Sequence, residues 1–209
     1  MSAGAEDVAR RLDRLESLEE IRQLVARYAL ALDMRDLDAL CGLFPEDVQV
    51  GRGRRGRAAL KAWFDETLRR QFTGTAHVTG NHVIELRGPD RAAGAVYSRN
   101  EHETGDQWIQ MTMLYVDDYE RLGGRWYFRR RLPLYWYAAD PRTPPLGPNK
   151  MRWPGREPYE GVYHEYFPSW REFWARAPDD APAVREPAPL GEFLQRLRGG
   201  ERPLSVRVR

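Results

Sequence analysis

Apolar residues recur at spacings of three and four early in the chain and at spacings of two later on, so the sequence reads as helices first and strands afterwards. Leu18, Ile21, Val25, Tyr28 and Leu32 form a helical stripe, and Ser17 with Glu20 three positions on is a capping box that would open it. A weaker helical pattern, Val8, Leu12 and Leu15, precedes it. Asp36 is placed to cap a short second helix carrying Leu37, Leu40, Leu43 and Phe44, which Pro45 ends. VQVGRGRRG reads as a short strand and a Gly-rich turn. Residues 57–72 then read as a third helix, buried through Leu60, Trp63, Phe64, Thr67 and Leu68.

Four strand-like runs follow: HVTGNHVIELRG, RAAGAVYSRNEHE, QWIQMTMLYVDDYERL and RWYFRRRLPLYWY. The turns between them are short and rich in Gly, Pro and Asp, which argues for antiparallel neighbours. Helices followed by such a meander predict an α+β fold, an antiparallel sheet with its helices on one face. A strongly curved sheet wrapped round the long N-terminal helix makes a cone open at one end.

Length and composition bound this picture. The chain has 209 residues, enough for one well-packed domain. Its character changes near Pro133, since thirteen of its fifteen prolines lie from there onward among many Tyr, Trp and Phe. The expected organisation is therefore a cone domain over residues 1–132 and a Pro/aromatic-rich extension over 133–209, packed on the domain or on a partner subunit. Trp136, Trp153, Trp170 and Trp174 carry too much apolar area to be left in water. The net charge is only +2 and the arginines are interspersed with acids, so no nucleic-acid footprint is expected. A single cysteine, Cys41, excludes an internal disulfide and fits a reducing compartment. No run approaches a membrane span and the N-terminus lacks a signal-peptide core, so a cytoplasmic protein is expected.

Candidate chemistry rests on residues far apart in sequence. Tyr28 and Asp33 sit near the end of the first helix, and His77 and His102 on separate strands. Converging on one pocket, an acid, an imidazole and a phenol can move protons. Alternation puts Asn100 and His102 on one strand face, and His77 in phase with Asn81, leaving His82 out of phase. Arg130 shares a face with Trp126 and Phe128 and is placed to hold an anionic group. Each residue also has a plain structural reading. Asp33 could cap the helix at Asp36 or pair with Arg35, His77 and His102 could be hydrogen-bonded core or rim residues, and Tyr28 could be a core tyrosine. His77, His82, His102 and one cysteine lack zinc-site spacing, and HExxH and CxxC are absent, so no metal is expected. Gly51-Arg-Gly-Arg-Arg-Gly lacks a preceding buried parallel strand, and a basic turn is the better reading.

RYALALDMRDLDALCGLFPEDVQV, the Gly-turn and helix after it, TAHVTGNHVIEL and AAGAVYSRNEH together resemble the SnoaL-like branch of the nuclear-transport-factor-two-like superfamily, over about residues 15–132. Within it the chain is most similar to the scytalone-dehydratase and bile-acid-dehydratase group. The resemblance implies a cone-shaped α+β barrel in which Tyr28, Asp33 and His77 are catalytic and His102 matches a second histidine. It implies a cofactor-independent lyase, a dehydratase acting on a hydrophobic, polycyclic or aromatic hydroxy-carbonyl compound; the strand faces add Asn81, Asn100 and Arg130 to His102 as candidate binding residues. Isomerase, cyclase and dehydrohalogenase chemistry, or a non-catalytic binding or assembly module, are alternatives on the same fold. The expected partners are a small hydrophobic substrate and further copies of the chain, as a dimer or trimer. The extension after Leu132 departs from the group's pattern.

Overall fold

The computed structural model describes residues 3–161 and 164–177, together with Val184, Glu186, Pro189 and Leu190. The elements follow the order read from the pattern: α1 (Ala3–Asp33), α2 (Leu37–Gly42), β1 (Gln49–Val50), β2 (Arg54–Arg55) and α3 (Arg57–Gln71) precede β3 (Gly74–Leu86), β4 (Arg91–Thr104), β5 (Gln107–Leu122) and β6 (Arg125–Ala139). A 3-10 turn (His164–Tyr166) and α4 (Pro168–Ala175) come last. The four long strands form one antiparallel sheet in the order β3-β4-β5-β6. It is the expected curved sheet with helices against it, and it is not closed.

α1 runs unbroken for 31 residues, so the capping box at Ser17 does not start it. Ser17 is buried in mid-helix. No Gly or Pro interrupts residues 5–33, and Ala, Leu, Arg and Glu carry the helix through. The cap at Asp36 does form: its carboxylate accepts from the Ala39 backbone N–H at 2.9 Å.

The stripe Ile21, Leu24, Val25, Tyr28, Ala31 and Leu32 fills the concave side of the sheet against Val96, Met113, Tyr115 and Phe128, with Leu60, Phe64 and Leu68 of α3 closing the core. Burying each large aliphatic or aromatic side chain contributes about 1.5–3 kcal/mol, so this face is the main source of stability. The convex side carries a smaller cluster of Ala93, Leu114, Val116 and Leu134, covered by Trp136, Tyr166, Phe167 and Leu190.

Bulges decide which strand residues face inward. β3 shifts register between Thr79 and His82, and β6 between its partners Asp118 and Tyr119, where Arg129 is the extra residue. One extra residue reverses the facing of everything beyond it. As a result Asn81 is exposed while His82 turns toward the interior, the reverse of the simple alternation. Likewise Arg130 is exposed and Arg131 points in.

The break expected after Leu132 falls inside β6, which runs on to Ala139. Pro133 is tolerated because β6 is an edge strand, where one missing N–H costs no ladder bond. Beyond it the chain returns along β6. Met151 is paired with both Ala138 and Tyr159 and is fully buried, which sets Trp153 over the rim of the concave face. Trp153 packs against the larger core cluster and Trp136 against the smaller one, whereas Trp174 stays 66% exposed.

Candidate active site

α1 stops where Arg35 takes a left-handed backbone conformation (φ 59°) and Asp36 begins α2. The Asp33 carboxylate is left facing the start of β3, where three donors converge on it. His77 Nδ1 lies 2.6 Å from Oδ1, the Thr75 hydroxyl donates to Oδ1 at 2.9 Å, and the His77 backbone N–H donates to Oδ2 at 2.7 Å. Little water reaches the pair, whose side chains are 6% and 13% exposed for His77 and Asp33. Burial pushes the Asp33 carboxyl up, but the His77 and Thr75 hydrogen bonds outweigh it and hold it below the usual carboxylate range. Asp33 is thus an anion at neutral pH and only accepts. The proton between the two sits on His77 Nδ1, so in the neutral form of the imidazole the lone pair lies on Nε2.

Register places the neighbours. Across β3 and β4, Thr75 pairs with His102 and His77 with Asn100, so all four share the concave face. The His102 ring stands edge-on to His77 at 5.8 Å, with Phe72 at 4.6 Å and Trp153 at 5.9 Å on its other sides. Its Nδ1 is buried with no hydrogen-bond partner among the described residues. Burial, helped by the nearby His77 and Arg35, pushes this imidazole down to about 3, so it is neutral. Asn100 is also buried, accepting from Ser98 Oγ at 2.5 Å with its Nδ2 2.7 Å from Met113 Sδ.

Tyr28 is buried in the main core cluster on the concave side. Its ring packs edge-on to Phe44, Phe64, Tyr115 and Phe128. Burial, reinforced by Tyr115, raises its hydroxyl well above the usual phenol range, so it stays protonated and keeps a proton to donate. The sequence-derived candidates therefore divide three ways. Asp33, His77, His102 and Asn100 come together, Tyr28 packs instead among Phe44, Phe64, Tyr115 and Phe128, and Asn81 and Arg130 lie on exposed positions away from the group, for the bulge reasons given above.

The simple alternation missed the residue that replaces Arg130. Arg131, with a side chain only 4% exposed, lies over the faces of Tyr115 (3.8 Å), Tyr28 (4.3 Å) and Phe128 (4.7 Å). Its Nε is 3.5 Å from Asp117 Oδ1, yet none of its three nitrogens has a hydrogen-bond acceptor among the described residues. Behind it the Tyr119 hydroxyl donates to Asp117 Oδ2 at 2.9 Å, and His82 Nε2 lies 3.1 Å from that hydroxyl. Burial pushes Asp117 up to about 6 against the pull of Arg131, and pushes His82 down to about 4. Buried donors without acceptors are costly, and a bound oxygen atom would satisfy them. The run of three arginines marked this place in the sequence; the bulge at Arg129 hid which one turned inward.

Two open surface clefts lie elsewhere, of about 590 and 560 Å³. The first is lined by Glu16, Glu20, Gln23, Arg27 and Trp126 and the second by Leu30, Met34, Arg57 and Tyr127; neither includes Asp33 or His77. Their linings contain no buried titratable pair like the one between Asp33 and His77 on the concave face. Among the described residues no cluster of three or more His, Cys, Asp or Glu is arranged to hold a metal ion. No helix there is long and apolar enough to cross a membrane.

The sequence model of the SnoaL-like domain matches residues 13–132. No curated protein matches the chain. Among solved structures, a protein provisionally assigned as a scytalone dehydratase from Novosphingobium aromaticivorans DSM 12444 is 24% identical with a TM-score of 0.55, over 69% of this chain and 97% of that one. The hexachlorocyclohexane dehydrochlorinase LinA-type3 from Novosphingobium barchaimii LL02 is 22% identical with a TM-score of 0.58, over 66% and 99%. An NTF2-like protein with a cystatin-like fold from Novosphingobium aromaticivorans is 30% identical with a TM-score of 0.52, over 61% and 87%. At their low identities the first two establish likeness of fold.

Proposed function

The chain belongs to the SnoaL-like domain family, and from that premise we propose that it is a cofactor-independent lyase, a dehydratase of a hydrophobic hydroxy-carbonyl compound. The observation that carries this reading is the 2.6 Å contact between His77 Nδ1 and an Asp33 carboxylate held ionised by three donors. An imidazole so oriented is a base at Nε2, and the carboxylate stabilises the imidazolium that forms when it takes a proton, the arrangement that a hydrolase triad also uses.

The step balances without a co-reactant. Nε2 of His77 removes the proton α to the carbonyl, and the C–H electrons form the new C=C bond. The β C–O bond breaks, and the departing hydroxide takes the proton back from the imidazolium as water. Negative charge on the carbonyl oxygen needs donors while this happens. Neutral His102, the protonated Tyr28 hydroxyl and the Arg131 guanidinium, whose nitrogens have no hydrogen-bond acceptor among the described residues, are the candidates that the concave face offers. The apolar lining of Phe72, Met113 and Trp153 suits a ring-bearing or otherwise apolar substrate. Loss of hydrogen halide from a β-halo compound follows the same electron path, and the dehydrochlorinase among the similar structures makes that the second reading.

The test is elimination from a panel of β-hydroxy ketones, read as the rise in enone absorbance, with a chelator present throughout. His77→Ala should lower turnover by roughly 10²–10⁴-fold, the worth of general acid–base catalysis, with unchanged far-ultraviolet circular dichroism. Asp33→Asn should also fall sharply, because an amide can donate to Nδ1 and favour the wrong tautomer. Turnover in His77→Ala equal to wild type would end the proposal for this site.

A further inference from the structure

We infer that Arg35 and Thr75 are positioning residues that act on His77 through Asp33: Arg35 orients the Thr75 hydroxyl, and Thr75 holds the carboxylate in its acceptor state. The inference rests on the reading of Asp33 and His77 as a working pair. Arg35 is the one non-glycine residue with positive φ among those described. Left-handed backbone is disfavoured for an arginine and tends to persist where the surroundings hold it for a function. Here the turn brings the guanidinium back over the end of α1. Its Nη1 donates to the Leu32 carbonyl at 2.8 Å and to Thr75 Oγ1 at 2.7 Å.

The second of these bonds fixes a direction. A threonine hydroxyl has one proton, and Arg35, which has only donors, occupies an oxygen lone pair. The hydroxyl proton must then go to the other neighbour within reach, Asp33 Oδ1 at 2.9 Å. A one-way chain results: Arg35 to Thr75, Thr75 to Asp33, with His77 donating to Asp33 from the other side. A carboxylate that already receives the Thr75 proton is poorly placed to take one from imidazole, so the shared proton stays on His77 Nδ1. The Thr75 hydrogen bond is among the interactions that hold the Asp33 carboxyl low. Strand position assists, because Thr75 and His77 lie two apart on β3 and so on the same face.

The brace is tested on the full chain by following the Asp33 side-chain carbon through an acid titration by NMR. Thr75→Val keeps the shape and removes the hydroxyl; it should move the Asp33 midpoint upward, and Thr75→Ser should restore it. Arg35→Gly adopts the left-handed turn without strain, so it removes the guanidinium and keeps the backbone; it should move the midpoint in the same direction. Where a substrate is in hand, kcat of Thr75→Val should fall roughly ten- to a hundredfold with KM unchanged, the span of a hydrogen bond to a charged group. A wild-type Asp33 titration in Thr75→Val overturns the inference, and one in Arg35→Gly alone overturns the part given to Arg35. The titration reads the brace whether or not the pair performs catalysis, whereas activity in His77→Ala reads the catalytic proposal and leaves the brace standing.

Discussion

Asp33 and His77 could be picked out of the sequence because each sits where an element ends or begins, and such positions face other elements. The second polar group could not. Asp117 lies in the pair Asp117-Asp118 with no local sign of burial, and in the run Arg129-Arg130-Arg131 alternation put Arg130 rather than Arg131 on the inward face. Packing makes that choice, by placing Arg131 over three aromatic rings and Asp117 opposite it. The arrangement carries a pH signature. Burial raises the Asp117 carboxyl from 3.8 unfolded to about 6 folded, so the folded state binds its proton more readily. Its contribution to stability is fully present below the unfolded value and is lost as pH rises through about 6. Comparing urea denaturation of wild type and Asp117→Asn from pH 4 to pH 7, the stability of wild type relative to the variant should shrink as pH rises. A difference that stays flat or grows over that window would show that Asp117 does not titrate as its burial requires.

Among the elements, the helical stripes and the four-strand meander were legible because periodicity of three to four and of two reports on burial directly. The bulges were not, and both misplaced candidates trace to them. Asn81 was put in phase with His77 and Arg130 with Trp126 and Phe128, and each bulge reversed the count. Ser17 and Glu20 look like a helix start, but the propensity of the flanking residues carried the helix through them. On β4 one glycine has a reason that only the assembled sheet reveals. A Cβ added at Gly94 would meet Tyr119 Cε2 at 2.7 Å and its hydroxyl at 2.8 Å, with His82 Nε2 at 3.0 Å. Gly94→Ala should therefore displace the Tyr119 ring and cost about 1–3 kcal/mol, the usual cost of overpacking, measurable as a lower thermal midpoint. Gly94→Ala with the Tyr119–Asp117 hydrogen bond intact and an unchanged midpoint would contradict this account of the contact.

For the whole molecule, element order was enough to anticipate a curved antiparallel sheet wrapped on a long helix. The extension was legible only in part. Its aromatics announced that it packs, yet composition placed the boundary at Pro133, whereas strand pairing runs to Ala139. What the extension adds could not be read beforehand: Trp153 laid beside His102 and Phe72 on the concave face, and Tyr166 and Phe167 on the convex one. The proposed chemistry turns on His77 removing a carbon-bound proton with Asp33 behind it. The most direct measurement is deuterium uptake at C2 of 1-tetralone in heavy water, followed by NMR with a chelator present, because this ketone has no leaving group and isolates the proton transfer. Wild type should catalyse the exchange and His77→Ala should lose it by roughly 10²–10⁴-fold. Exchange that persists in His77→Ala, or that appears only when a divalent cation is supplied, would contradict the account.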